Sequence, residues 1–210
     1  MNKKFIADFT LLLVVFVWGS TFVIVQDAIS FLTPFSFNAI RFFIAFVILL
    51  SIYMIFTKKD KLHFTKDSIK SGFVIGTWLC FGYGFQTFGL LYTTPAKAGF
   101  ITGLSVVLVP LFSFLLLKYA LNRNIILGVI FAAAGLYMMT TMQTSSFSIG
   151  DFLVLLCAVS FAMHIIMTSK YAAKHHAMPL TILQIGVVSL LSFIGSLLFE
   201  EPSKMYRLDV

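Results

Sequence analysis

The stretch that decides the fold is GFVIGTWLCFGYGFQTFGLLY (72–92), TTP (93–95) and AKAGFITGLSVVLVPLFSFLLLK (96–118). Each apolar run is long enough for a bilayer core of roughly 30 Å, which takes about 20 helical residues at 1.5 Å apiece. Pro95 cannot continue a helix and biases Thr94 away from the α region. So short a link predicts two antiparallel helices packed as neighbours. In the first, Tyr83, Gln86, Thr87 and Leu90 stand at i, i+3, i+4 and i+7 and share a face. The second carries Gly99, Thr102, Gly103 and Ser105, in which Gly99 and Gly103 form a small-xxx-small pair. A membrane hairpin with one polar and small face predicts a packing surface beside something wet.

Composition agrees with this class. Hydrophobic residues make up 60% of the 210, charged residues 11%, and mean hydropathy is +1.00. A soluble domain of this size has nowhere to bury so much apolar surface, which makes the chain a polytopic membrane protein. The runs are far too long for barrel strands, and in hydrocarbon the backbone must satisfy itself. The fold class is therefore all-α, a transmembrane helical bundle. The net charge of +7 is no nucleic-acid signal, because Lys and Arg fall between the spans rather than on one folded face. Cys80 and Cys157 lie inside apolar runs, without disulfide or metal-ligand company. Lys3 and Lys4 precede an apolar stretch with no small-residue cleavage site after it, which reads as a retained first helix.

Taken in order, seven spans are expected. They are 7–25, then 34–56 opened by Pro34, the two hairpin helices, 125–142, 151–169, and a last one from Pro179 to about Phe199. Residues 26–33 are expected to connect the first two. The segments 57–70, 119–124, 143–150 and 170–178 link the others, and 200–210 is a polar tail. Alternate ends place Lys3, Lys4, Lys58, Lys59, Lys61, Lys66, Lys70, Lys118, Arg123, Lys170 and Lys174 on one side. The other side receives Lys97, Lys204 and Arg207, with Arg41 left inside a span. By the positive-inside rule the N-terminus is cytoplasmic.

The chain also repeats itself. Asp8-Phe9 matches Asp151-Phe152 at an offset of 143, which lays Arg41 on Gln184. An odd number of spans separates the copies, so the second enters the membrane from the opposite side. Inverted repeats of this kind build many secondary transporters, with the substrate site at their interface.

VWGSTFVIVQDAI (17–29), PFSFNAIRFF (34–43) and FGYGFQTFGLLYTTPAKAGFITGLSVVLVPLFSFLLLK (81–118) resemble the EamA-type members of the drug/metabolite transporter superfamily. GDFLVLLCAVSFAMHIIMTSKYA (150–172) is similar to the start of that family's second repeat. The resemblance implies an inner-membrane carrier of ten helices, in two inverted five-helix repeats around a central cavity. This chain would supply the first repeat in residues 1–142 and two helices of an incomplete second in 143–210. Members often carry an acidic residue just after the fourth helix; here the sequence reads Lys118-Tyr119-Ala120, so no role for that residue transfers.

Individual residues point to a solute path. Arg41 is a charge inside a span, which costs about 2.5–3.5 kcal/mol on insertion scales and marks function, helix locking or snorkelling. Asn38 stands one turn back on the same face. Gln86, Tyr83 and Thr87 form the leading substrate-contacting face, against the alternative of interhelical hydrogen bonds. Trp18 beside Gly19, Ser20 and Thr21 is a cavity-lining candidate. Thr102 and Ser105 either face the path or bond back to their own helix. Pro110 predicts a kink. His164 and Gln184 are the second-repeat candidates. Every Asp and Glu falls at a span end or in a loop, which leaves proton coupling to His164 or to other helices. No phosphate loop, HExxH or Ser–His–Asp arrangement is present, so an enzyme, a metal site and a cofactor are not expected. The sequence reading is a secondary carrier of a small organic solute, in the lipid bilayer of the cytoplasmic membrane, working by alternating access. The alternative is a transport-incompetent bundle that needs a homo-oligomer or a completing chain.

Overall fold

In a computed structural model, residues 3–57, 64–118, 123–142 and 147–200 are described. They form eight helices: α1 (Lys3–Phe31), α2 (Pro34–Phe56), α3 (Lys66–Gly89), α4 (Pro95–Gly103), α5 (Ser105–Leu117), α6 (Arg123–Met142), α7 (Ile149–Ala172) and α8 (Ala177–Phe199). α4 and α5 are one rod interrupted at Leu104, so the described residues make seven rods. Five stretches are long and apolar enough to cross a membrane: Phe5–Phe31, Pro34–Phe56, Pro95–Leu116, Ile149–Ala172 and Ala177–Phe199. The protein is an all-α, multi-pass membrane bundle. Of the expected links, residues 58–63, 119–122 and 143–146, with the tail 201–210, lie outside the described residues. So do Lys58, Lys59, Asp60, Lys61, Glu201, Lys204, Arg207 and Asp209.

Local chemistry sets the helix starts. Thr65 and Ser68 form a reciprocal capping box at α3, and Ser148 and Asp151 form another at α7. Thr94 caps α4 through Lys97 N, with Pro95 in the first turn. α2 is capped from outside. Thr33 makes no side-chain cap, and the Glu200 carboxylate from the end of α8 accepts instead from Phe35 N (2.8 Å) and Ser36 N (3.0 Å). Glu200 also accepts from Thr33 Oγ1 (2.5 Å) and Ser36 Oγ (2.8 Å). An anion on the free amides of a helix N-terminus satisfies those donors and suits the dipole.

Residues 26–31, expected as a connection, continue α1. The polar residue that suggested a loop has helical work to do: Gln26 Nε2 donates to the carbonyls of Leu90 and Thr93, both at 3.0 Å. Those bonds bring the end of α1 against the end of α3. Thr93 in turn donates to Asp151 at the start of α7. At the opposite end of the bundle, Ser71 near the start of α3 meets His175 in the α7–α8 link at 3.0 Å. The α1–α2 and α3–α4 links and the start of α7 therefore gather at one end, while the start of α3 and the α7–α8 link lie at the other. α1 and α7 run in opposite directions.

The hairpin helices do not pack side by side, as the short link predicts. α3 meets α4 only sparsely and packs chiefly against α7 and α8; α7 also contacts α4 and α5. The reason lies in the glycines of α3. A Cβ on Gly72 or Gly76 would fall within 2.6 Å of Leu183 or Val187 of α8. One on Gly82 would fall 2.5 Å from Phe161, and one on Gly89 2.6 Å from Val154 of α7. Close approach through small residues is how membrane helices gain packing when lipid is as apolar as leucine. The expected pair contributes no such groove, since nothing lies within 4 Å of a Cβ on Gly103, and Gly99 meets only Phe22 at 3.8 Å. α3 thus turns its Gly, Ser and Gln side toward α7 and α8, while Ile69, Phe73 and Phe81 on its other side remain exposed. The break at Leu104 precedes Pro110 by six residues; α5 continues through Pro110.

Candidate solute-binding site

Rings from two helices lie against one guanidinium, and rings from two more extend the cluster. Arg41 of α2 lies over the rings of Phe42 (4.6 Å from its centroid), Tyr83 (4.7 Å) and Phe37 (5.0 Å). Tyr83 of α3 packs on Phe42 with centroids 4.8 Å apart and edge-on to Phe161 of α7 at 5.2 Å. Trp18 of α1 reaches Phe161 at 6.5 Å, so it joins the cluster by its edge. Arg41 is folded into this cage rather than extended toward the membrane surface. Its Nε and Nη2 are buried and make no hydrogen bond, and no Asp or Glu pairs with it among the described residues.

The remaining candidates separate into three sets of contacts. Asn38 and Thr87 lock α2 to α3: Asn38 Nδ2 donates to Thr87 Oγ1 (3.1 Å), which donates to the Tyr83 carbonyl (2.7 Å). Gln86, 5% exposed, donates to Thr102 Oγ1 at 3.4 Å, and Thr102 contacts Cys157 Sγ at 3.9 Å. These buried bonds tie α3, α4 and α7 together beside the aromatic cluster. Ser105 is buried at the start of α5. His164 and Gln184 meet across α7 and α8, with Nε2 donating to Oε1 at 2.8 Å and Thr168 Oγ1 within 3.4 Å of the same nitrogen. Arg41 and Gln184, matched by the sequence offset, have separate partners.

Two recesses lie elsewhere. One of about 660 Å³ between α2 and α8 is apolar, lined by Phe43, Phe46, Leu183, Val187 and Phe193 among others. The second, about 490 Å³, lies at the end that holds the α7–α8 link, among Asp67, Lys70, Ser71, Lys174 and His175.

Residue-type reasoning misses a charged network at the opposite end. Lys97 and Asp151 are 4% and 0% exposed and pair at 3.5 Å. Asp151 also accepts from Thr93 Oγ1 and from Ser148 N, the latter at 3.0 Å. Both residues sit in first helical turns, which in sequence read as water-facing span ends. Their signal was faint: a lysine two residues after the hairpin proline, and a capping Ser-x-x-Asp.

The comparisons with known proteins agree with this architecture. A model of the EamA-like transporter family matches residues 5–141. An uncharacterized transporter of Archaeoglobus fulgidus is 39% identical over 191 residues, 90% of this chain and 58% of its own length. The uncharacterized transporters YyaM and YoaV of Bacillus subtilis are 27% and 29% identical, with 91% and 89% of this chain and 65% of their own lengths covered. The chain thus spans about 58–65% of the length of these curated relatives. No solved structure matches it. With the family model covering most of its helices, the chain belongs to the EamA-like transporter family.

Proposed function

We propose that this chain forms the solute-handling part of a secondary carrier, which moves a small organic solute across the cytoplasmic membrane by alternating access. The observation that carries the reading is the line of ring contacts that joins Trp18 of α1 through Phe161 of α7 and Tyr83 of α3 to the guanidinium of Arg41 in α2. Three of those helices belong to the expected first repeat, residues 1–142, and α7 opens the second, residues 143–210. Opposed directions of α1 and α7 are what inverted repeats require, and carriers of that construction bind solute between repeats. Family membership and relatives with transporter names support the same reading. The lysine-rich end then faces the cytoplasm, with the N-terminus on that side. Arg41 and Tyr83 are the leading solute contacts. Gln86, Thr87, Asn38 and Thr102 hold the helices that present them.

The test is uptake and efflux of a solute panel in vesicles, comparing wild type with Arg41→Ala and Gln86→Ala. Loss of flux in Arg41→Ala is expected. Unchanged flux in both variants removes the site assignment.

A further inference from the structure

The unsatisfied edge of Arg41 names a solute class. A planar guanidinium has five donors, and Nε and Nη2 share one edge, spaced to donate two parallel bonds to the two oxygens of a carboxylate. These two nitrogens are the ones left buried and without partners. The charge is held in place by three aromatic faces, which interact with its plane and make no demand on its edge. Arg41 is one of only three arginines in the chain, and it lies seven residues inside a span. A buried donor without an acceptor costs about 1–3 kcal/mol, and more for a charged group. A purely structural cation would be expected to gain an acid partner in the bundle, as Lys97 does from Asp151. The local bonds of the neighbours do not compete for this role: Asn38 donates to Thr87, which donates to the Tyr83 carbonyl, and Gln86 donates to Thr102.

From this geometry we infer that the solute is a small carboxylate, bound two-pronged on the Nε–Nη2 edge of Arg41 while the guanidinium keeps its faces on Phe37, Phe42 and Tyr83. Because that edge is closed to solvent in this conformation, the acid enters when the helices open, and its charge is neutralised as they close. The inference rests on the carrier reading for its biological meaning, but the binding step is measurable without transport.

The binding experiment uses acetate, the smallest probe that carries the group, on the full chain in nanodiscs labelled with 15N-arginine. The Arg41 Nε resonance is identified by its absence in Arg41→Lys. A saturable shift at millimolar acetate is expected, with none from acetamide or from chloride at equal concentration. No saturable shift, or an equal shift with chloride or acetamide, overturns the inference. A separate arm measures flux in proteoliposomes with benzoate and its neutral twin benzamide. Acid preference in the wild type is expected, reduced at least tenfold in Arg41→Lys, where a single point charge replaces the fork. An acetate shift with no flux of any solute would sink the carrier reading and leave the anion site standing. Flux without an acetate response would do the reverse.

Discussion

Replacing Lys97 by Met isolates the effect of one buried charge. In the wild type its ammonium lies 3.5 Å from Asp151, and both side chains are almost wholly enclosed. Coulomb's law gives an attraction of about 5 kcal/mol at that distance for an effective dielectric near 20. Desolvation of both ions offsets much of this, so the intact pair contributes little net stability. Removing one partner is different, because the remaining carboxylate keeps its desolvation cost; such changes typically cost about 3–5 kcal/mol. Asp151 retains the Thr93 hydroxyl and the Ser148 amide, which places Lys97→Met at the lower end, about 3 kcal/mol. Asp151→Asn should cost less on the charge account, since the lysine stem lets the ammonium reach the interface. The double variant Lys97→Met/Asp151→Asn should recover to within about 1 kcal/mol of wild type. Reversible unfolding in mixed micelles with rising SDS, followed by circular dichroism, reads all four proteins. A single-variant cost below about 1 kcal/mol, or a double-variant cost equal to the sum of the singles, refutes the coupling.

Four further outcomes follow from the contacts. Gly150→Ala should destabilise by about 1–3 kcal/mol, because its Cβ would lie 2.7 Å from the Gly89 carbonyl oxygen and α3 would have to move from α7. Gly103→Ala, with open space around it, should be neutral or stabilising by up to about 1 kcal/mol; the same unfolding assay compares the two. Glu200→Gln should cost about 1–2 kcal/mol through weaker bonds to the first turn of α2, seen as faster hydrogen exchange at Phe35 and Ser36. In a background lacking Cys80 and Cys157, Lys174→Cys and Phe147→Cys should react with an impermeant thiol reagent from opposite faces of the membrane. Labelling of both from one face contradicts the helix directions described above.

Much of the architecture was legible in one dimension because the bilayer acts along the chain. Length and apolarity decide a span locally, so Pro34–Phe56 appears in the sequence with the bounds that the structure has. Prolines and Ser/Thr caps mark helix starts for the same local reason. The candidate site was half legible. An arginine in apolar surroundings announces itself, Asn38 could be placed near it by helical spacing, and Tyr83, Gln86 and Thr87 could be placed on one face of their own helix. What spacing cannot supply is the partner on another helix. Phe37, Phe42 and Phe161 look like lipid-facing bulk until α2 and α7 are set against Tyr83.

The sequence by itself therefore determined that the chain is a helical membrane protein and roughly where its rods begin and end, since those depend on nearest neighbours and on hydrocarbon thickness. Only the tertiary structure decided that α3 packs on α7 and α8 rather than on its hairpin partner, that Glu200 caps α2, and that Lys97 and Asp151 are buried. Each of these joins residues between 54 and 165 positions apart, where shape and charge meet across helices and no local pattern records the meeting.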